Sequence, residues 1–122
     1  HALAKQQMRG FGGMVSFAFE GTREDVDVFV RRLRIFQFAE SLGGVESLCC
    51  HPVTMTHGAF PEAERERRGV TETLLRLSVG IEDVSDLIAD LDQALEAVSA
   101  SHAHTKPAER EHAAAGRGAK RR

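Results

Sequence analysis

Residues 74–83 read LLRLSVGIED, and they lead into IEDVSDLIADLDQALEAV over 81–98. The reading of this run decides the fold. Leu75, Leu77 and Val79 alternate onto one side of an extended segment, while Leu74, Arg76 and Ser78 take the other. Val84, Leu87, Ile88, Leu91, Leu95 and Val98 then recur at helical spacing, with acidic residues in the first turn. A change of period from two to 3.6 marks a strand feeding a helix that is apolar on one face. Arg76 stands apart, because a guanidinium on a half-apolar strand requires a partner. Its partner is either an internal carboxylate, such as Glu40 or Glu46, or a small carboxylate ligand gripped in bidentate fashion.

Working outward, MVSFAFEG (14–21) alternates in the same way and reads as a strand ending at Gly21. TREDVDVFVRRLR (22–34) opens with Thr22 and places Asp25 three residues on, an approximate capping box. Val26, Phe29, Val30 and Leu33 then line one face, and Arg31, Arg32 and Arg34 crowd the last turn of the predicted helix. IFQFAES (35–41) and VESLCC (45–50) read as two short strands around a Gly-Gly turn. FPEAERERRG (60–69) reads as a short solvated helix stopped at Gly69. Both long helices have a single apolar face. The pattern predicts an α+β two-layer sandwich, a small, mostly antiparallel sheet with helices on one face.

The chain of 122 residues carries a net charge of -2 that hides a division. Residues 1–98 hold 10 basic and 16 acidic side chains and form the predicted domain. Residues 99–122 hold 6 basic and 2 acidic side chains and no bulky apolar residue, so a disordered basic tail is expected there. Such a tail on an acidic body supports only nonspecific, salt-sensitive contact with nucleic acid. No apolar run is long enough to span a membrane and no signal peptide is visible, which points to a cytoplasmic protein. The first residue is His1, which leaves room for a longer reading frame.

The two cysteines, Cys49 and Cys50, are adjacent and read as reduced, buried thiols. With His51 and His57 they lack zinc-ligand spacing, so no metal is expected. AESLGGVESL (39–48) displays Ser41 ahead of Gly43-Gly44, either as a plain turn or as a site of close backbone approach. HPVTMTHG (51–58) sets Thr56 beside His57, without the context of a nucleophilic triad. No phosphate loop is present; the glycines of GFGGM (10–14) precede a strand, which is the wrong order.

Together, QQMRGFGGMVSF (6–17), FAESLGGVESLCCHPVTMTH (38–57) and TLLRLSVGIEDVSDLIADLDQAL (73–95) resemble the carboxy-terminal domain of the pyridoxal-phosphate enzymes of cysteine and methionine metabolism, of the cystathionine gamma-synthase and gamma-lyase type. The resemblance covers residues 1–98 and implies the corresponding domain of a fold-type I enzyme. It implies that Arg76 holds the α-carboxylate of an amino-acid substrate, so that its Cα–H bond aligns with the cofactor's electron sink. It further implies a catalytic, substrate-positioning role for Ser41, recognition of the far end of the substrate by Glu40, and a place for Thr56 at the edge of the site. The implied cofactor is pyridoxal phosphate and the implied substrates are cystathionine, or an O-acyl-homoserine with cysteine, in a homotetramer. The resemblance also exposes a departure. None of Lys5, Lys106 and Lys120 sits in the family's Schiff-base motif, so cofactor-binding residues are not expected in this chain. A fragment inactive on its own is the expected state; a stand-alone amino-acid-binding or oligomerisation module is the alternative.

Overall fold

The architecture follows from how β4, Leu74–Ser78, is used. The computed structural model describes residues 1–105. Strand β1 (Met14–Ala18) pairs antiparallel with β4, Met14 opposite Ser78 and Ser16 opposite Arg76. Strand β3 (Leu48–Cys50) flanks β4 on its other side, also antiparallel, with Cys49 opposite Leu77 and Cys50 opposite Arg76. The two-residue β2 (Gln37–Phe38) adds a parallel edge to β3 and completes the order β1-β4-β3-β2. The sheet is therefore mixed but mostly antiparallel.

Helices α2 (Arg23–Arg32) and α4 (Val84–Thr105) pack together on one face of this sheet. Val26 and Phe29 of α2, Leu87, Ala94 and Val98 of α4, and Cys49, Leu75 and Leu77 of the sheet make one buried cluster, joined by Phe36. Phe29 and Leu75 are wholly buried, and Phe17 meets Phe29 edge-on with ring centroids 6.1 Å apart. The α+β sandwich expected from the sequence is the fold observed. The predicted start of α2 holds as well, since the Asp25 carboxylate accepts the Thr22 N–H at 2.7 Å.

Three features differ from the pattern reading. On α4, Leu87 and Val98 are buried, whereas Val84, Ile88 and Leu95 are exposed. The buried stripe is narrower than the apolar one because the sheet is small and α2 occupies one flank. Helix α4 also runs through residue 105, past the boundary at 98 where the tail was expected to start. The remainder of the expected tail, 106–122, lies outside the described residues. Two short helices lie off the core: α1 (Ala2–Gln7), which no periodicity announced, and α3 (Glu62–Arg67), which the charged run did announce. No described helix is long and apolar enough to cross a membrane.

Candidate functional site

The second face of the sheet carries no helix of the buried cluster, and strand parity puts Arg76, Cys50, Ser16 and Ser78 on it. Arg76 stands at the centre, between β1 and β3. Its Nη2 donates to the Glu40 carbonyl at 2.7 Å and to the Ser41 carbonyl at 3.3 Å. These are main-chain acceptors. None of the ion pairs among the described residues involves Arg76. Of the two internal carboxylates considered from sequence, Glu40 contributes its carbonyl, and Glu46 folds back over Gly44, within 2.6 Å of where a Cβ would stand. The Arg76 Nε is buried without a hydrogen-bond partner. A buried N–H of this kind costs about 1–3 kcal/mol unless an acceptor reaches it.

The surroundings of Cys50 show which groups converge here. Burial pushes its thiol up; the Arg76 charge pulls down, Glu40 pushes up, and the Thr56 hydroxyl pulls down. The charges of Arg76 and Glu40 and the Thr56 hydroxyl thus all act on this one buried thiol, and Ser41 is tied to Arg76 through its carbonyl. Thr56 also shares a 2.8 Å hydrogen bond with His57 Nδ1. Cys49, which points into the core, is pushed up to about 12 by burial and by its neighbour Cys50. Both thiols stay protonated at neutral pH, which suits packing rather than nucleophilic attack. His51 is buried with both ring nitrogens engaged, Nδ1 with the Thr54 hydroxyl at 2.9 Å and Nε2 with the Glu72 carbonyl at 3.0 Å. Burial lowers its affinity for a proton, and the neutral ring donates to Glu72 and accepts from Thr54.

A clasp beneath the Ser41 loop escaped the sequence reading. The Glu82 carboxylate accepts the Ser47 N–H and the Ser47 hydroxyl, both at 2.8 Å. The Gly80 N–H donates to Ser47 Oγ at 2.9 Å, and the Ile81 N–H to the Val45 carbonyl at 2.9 Å. Gly80 is required sterically, because a Cβ there would stand 2.1 Å from the Val45 oxygen. The Ser78 hydroxyl accepts the Gly43 N–H at 2.8 Å, and Gly43 has a φ of 75°, a conformation glycine takes without strain. The Gly-Gly turn is thus fastened to the strand that carries Arg76. The sequence signal was present in the Ser and Glu of GVES and GIED, but nothing in spacing alone pairs them.

The described concavities lie elsewhere. One of about 260 Å³ is lined by Arg65, Thr71 and Glu72, and one of about 230 Å³ by Arg34, Asp90 and Gln93. Neither is lined by Arg76. The Arg76 face offers one guanidinium and no lysine; Lys5, the only lysine among the described residues, is exposed on α1. That set fits a single carboxylate and does not by itself fit a phosphorylated pyridine aldehyde, which needs an amine and several phosphate donors.

Three comparisons bear on this geometry. The family model for Cys/Met metabolism PLP-dependent enzymes matches residues 1–96. The cystathionine gamma-lyase of Bacillus subtilis is 53% identical over 96 residues, covering 79% of this chain and 25% of the relative. A crystal structure of cystathionine gamma synthase from Xanthomonas oryzae pv. oryzae in complex with cystathionine superposes with a TM-score of 0.76 at 51% identity, over 82% of this chain and 26% of that one. Cystathionine gamma-lyase from Lactobacillus plantarum complexed with L-serine gives 0.71 at 43% identity, over 80% and 26%. The chain spans about a quarter of the length of the relatives it matches.

Proposed function

The chain belongs to the family of Cys/Met metabolism PLP-dependent enzymes, and from that premise we propose that it supplies the substrate-carboxylate half of a transsulfuration site. Residues 1–98 act as the carboxy-terminal substrate domain of a cytoplasmic, homotetrameric enzyme of the cystathionine gamma-synthase or gamma-lyase type. Arg76 takes the α-carboxylate of cystathionine, or of an O-acyl-homoserine, on its planar fork. Ser41 positions the reacting end of the amino acid, Glu40 meets the distal end, and Thr56 borders the site. Pyridoxal phosphate, when bound, supplies the electron sink. The residues of this chain bind and orient.

The observation that carries this reading is the buried Arg76 Nε with no acceptor, on a guanidinium that only main-chain carbonyls hold in place. A carboxylate bound to this guanidinium would supply the counter-charge that the two carbonyls do not.

The test is a chimera in which residues 1–96 replace the matching quarter of the Bacillus subtilis lyase. Turnover of cystathionine is expected, with Arg76→Lys lowering kcat/KM by about 10- to 100-fold while the cofactor absorbance is unchanged. A chimera that retains its cofactor and is indifferent to Arg76→Lys refutes the assignment. For the 122-residue chain alone, pyridoxal phosphate followed by borohydride and desalting is expected to leave no cofactor attached. A label on one specific lysine overturns the half-site.

A second reading, a stand-alone amino-acid-binding or oligomerisation module, is supported by the exposed Phe11, Leu42, Val45, Ile81, Val84 and Ile88. Calorimetric binding of an amino acid by the isolated chain, lost in Arg76→Ala, would favour it. Absence of heat at millimolar ligand counts against it.

A further inference from the structure

Strand β4 has no free edge, since Arg76 lies opposite Ser16 of β1 and Cys50 of β3, and Ser78 opposite Met14 and Leu48. The segment after β2 leaves the sheet once the Ala39 N–H has bonded the Cys49 carbonyl at 3.0 Å, and it is caught again where the Ile81 N–H reaches the Val45 carbonyl at 2.9 Å. Between those points it crosses the Arg76 face, and only side chains rising from β4 can fasten it to that strand. Two do so. Arg76 Nη2 donates to the Glu40 carbonyl at 2.7 Å and to the Ser41 carbonyl at 3.3 Å, and Ser78 Oγ accepts the Gly43 N–H at 2.8 Å. Ser78 stands two residues from Arg76 on the same face and is only 2% exposed. Leu42, between the two attachments, is 55% exposed, too open to hold the turn by packing.

We propose that Ser78 is a positioning residue for Arg76: its hydroxyl, through the Gly43 amide, holds the Glu40 and Ser41 carbonyls where they aim the guanidinium. The two attachments run in opposite senses. Arg76 donates to the loop and the loop donates to Ser78, so the pair fixes the loop both along and across the strand. The bond to Ser41 is the sensitive one. At 3.3 Å it already stands just past the usual N–H···O range, and a small retreat of the loop ends it. Gly43 lies two residues beyond Ser41 with a φ of 75°, so a Gly43 amide released from Ser78 carries the Ser41 carbonyl with it. The clasp between Ser47 and Glu82 holds the far end of the loop, past Gly44, and bonds neither carbonyl. The effect of Ser78 on a substrate rests on Arg76 taking the α-carboxylate, as proposed above. Its effect on the guanidinium does not.

The first test is NMR relaxation of the Arg76 Nε–H in the full 122-residue chain, which reads guanidinium order without a substrate. A wild-type order parameter near that of rigid backbone, about 0.85, is expected to fall below about 0.6 in Ser78→Ala. The amides of Leu75 and Leu77 are expected to stay as rigid as in the wild type. Ser78→Thr, which keeps the hydroxyl, is expected to keep the wild-type value at Arg76. An unchanged Arg76 in Ser78→Ala overturns the proposal, and so does loss of order in Ser78→Thr or loosening of Leu75 and Leu77 alongside Arg76. The second test uses the chimera with the Bacillus subtilis lyase. There Ser78→Ala is expected to raise KM for cystathionine about fivefold at nearly unchanged kcat, with Ser78→Thr close to wild type. Arg76→Lys tells the positioning role from the carboxylate assignment. If Arg76→Lys lowers kcat/KM while Ser78→Ala leaves KM unchanged, Ser78 has no positioning role. If both are silent in turnover while Ser78→Ala still frees the guanidinium, the positioning stands and the carboxylate assignment falls.

Discussion

Strand β4 shows two faces to two environments. Leu75 and Leu77 enter a closed apolar layer with Phe29, Val26 and Ala94, where burial is nearly complete. Arg76, one residue between them, enters a face whose polar groups are only partly satisfied. Stability is concentrated on the first face, because removing apolar area from water is the main favourable contribution to folding. The second face holds a guanidinium whose hydrogen bonds go to two main-chain carbonyls and to no carboxylate among the described residues. The difference indicates that the same five residues fold the sheet with one set of side chains and offer chemistry with the other.

Substitutions on the two faces should therefore separate stability from function. The largest loss is expected for Phe29→Ala, about 3–5 kcal/mol in urea unfolding, because a wholly buried ring leaves a cavity under β4. Asp90→Ala is next, at about 1–3 kcal/mol by the same measurement. Its carboxylate accepts the N–H groups of Arg34 at 2.8 Å, Ile35 at 2.8 Å and Phe36 at 3.1 Å, and all three would be left without it. Gly80→Ala is expected to cost a similar or somewhat smaller amount, about 1–3 kcal/mol, by driving the Val45 and Gly80 segments apart. Arg76→Ala should change unfolding least, by less than about 1 kcal/mol, since it removes an unsatisfied donor together with the bonds it makes. An Arg76→Ala variant as unstable as Phe29→Ala would erase the distinction between the faces.

The carboxylates add a pH dependence with a definite sign. Burial pushes Asp90 up, but the N–H groups of Ile35, Arg34 and Phe36 outweigh it, and the net shift is below the ordinary 3.8. A group whose folded-state value is lowered contributes stability above its unfolded value and loses it as pH falls. Unfolding free energy should therefore be maintained above about pH 3.8 and decline below it. Asp90→Asn should flatten that decline, as read from urea midpoints across the acid range.

How much of this was legible in the sequence depends on the range of the interaction. The β4–α4 run was legible because both periodicities are local, and the Thr22–Asp25 cap was legible because its partners are three residues apart. Arg76 was visible as an anomaly, although from the residues alone its partner was ambiguous, and the internal ion pair with Glu40 or Glu46 did not materialise. Ser47, Glu82 and Asp90 were missed. Each looks like an ordinary polar surface residue until the fold brings its partner from 33 or more positions away. The exposure of Val84, Ile88 and Leu95 was missed for a related reason. Periodicity shows which residues share a face, and only the size of the opposing sheet decides how much of that face is covered.

Asp90 also bears on the order of events during folding. Helix α2 precedes α4 in the chain, yet the amides just past its end are capped by a side chain made 54 to 56 positions later. Until α4 docks, residues 34–36 have no internal acceptor for those three N–H groups, and closing so long a loop carries an entropy cost that only the finished core offsets. The junction between α2 and β2 is thus expected to set late, in the same step that seats α4. The Ser41 loop, which begins just beyond that junction, becomes ordered with it, so the groups that hold Arg76 in place arrive only when the apolar face has already closed.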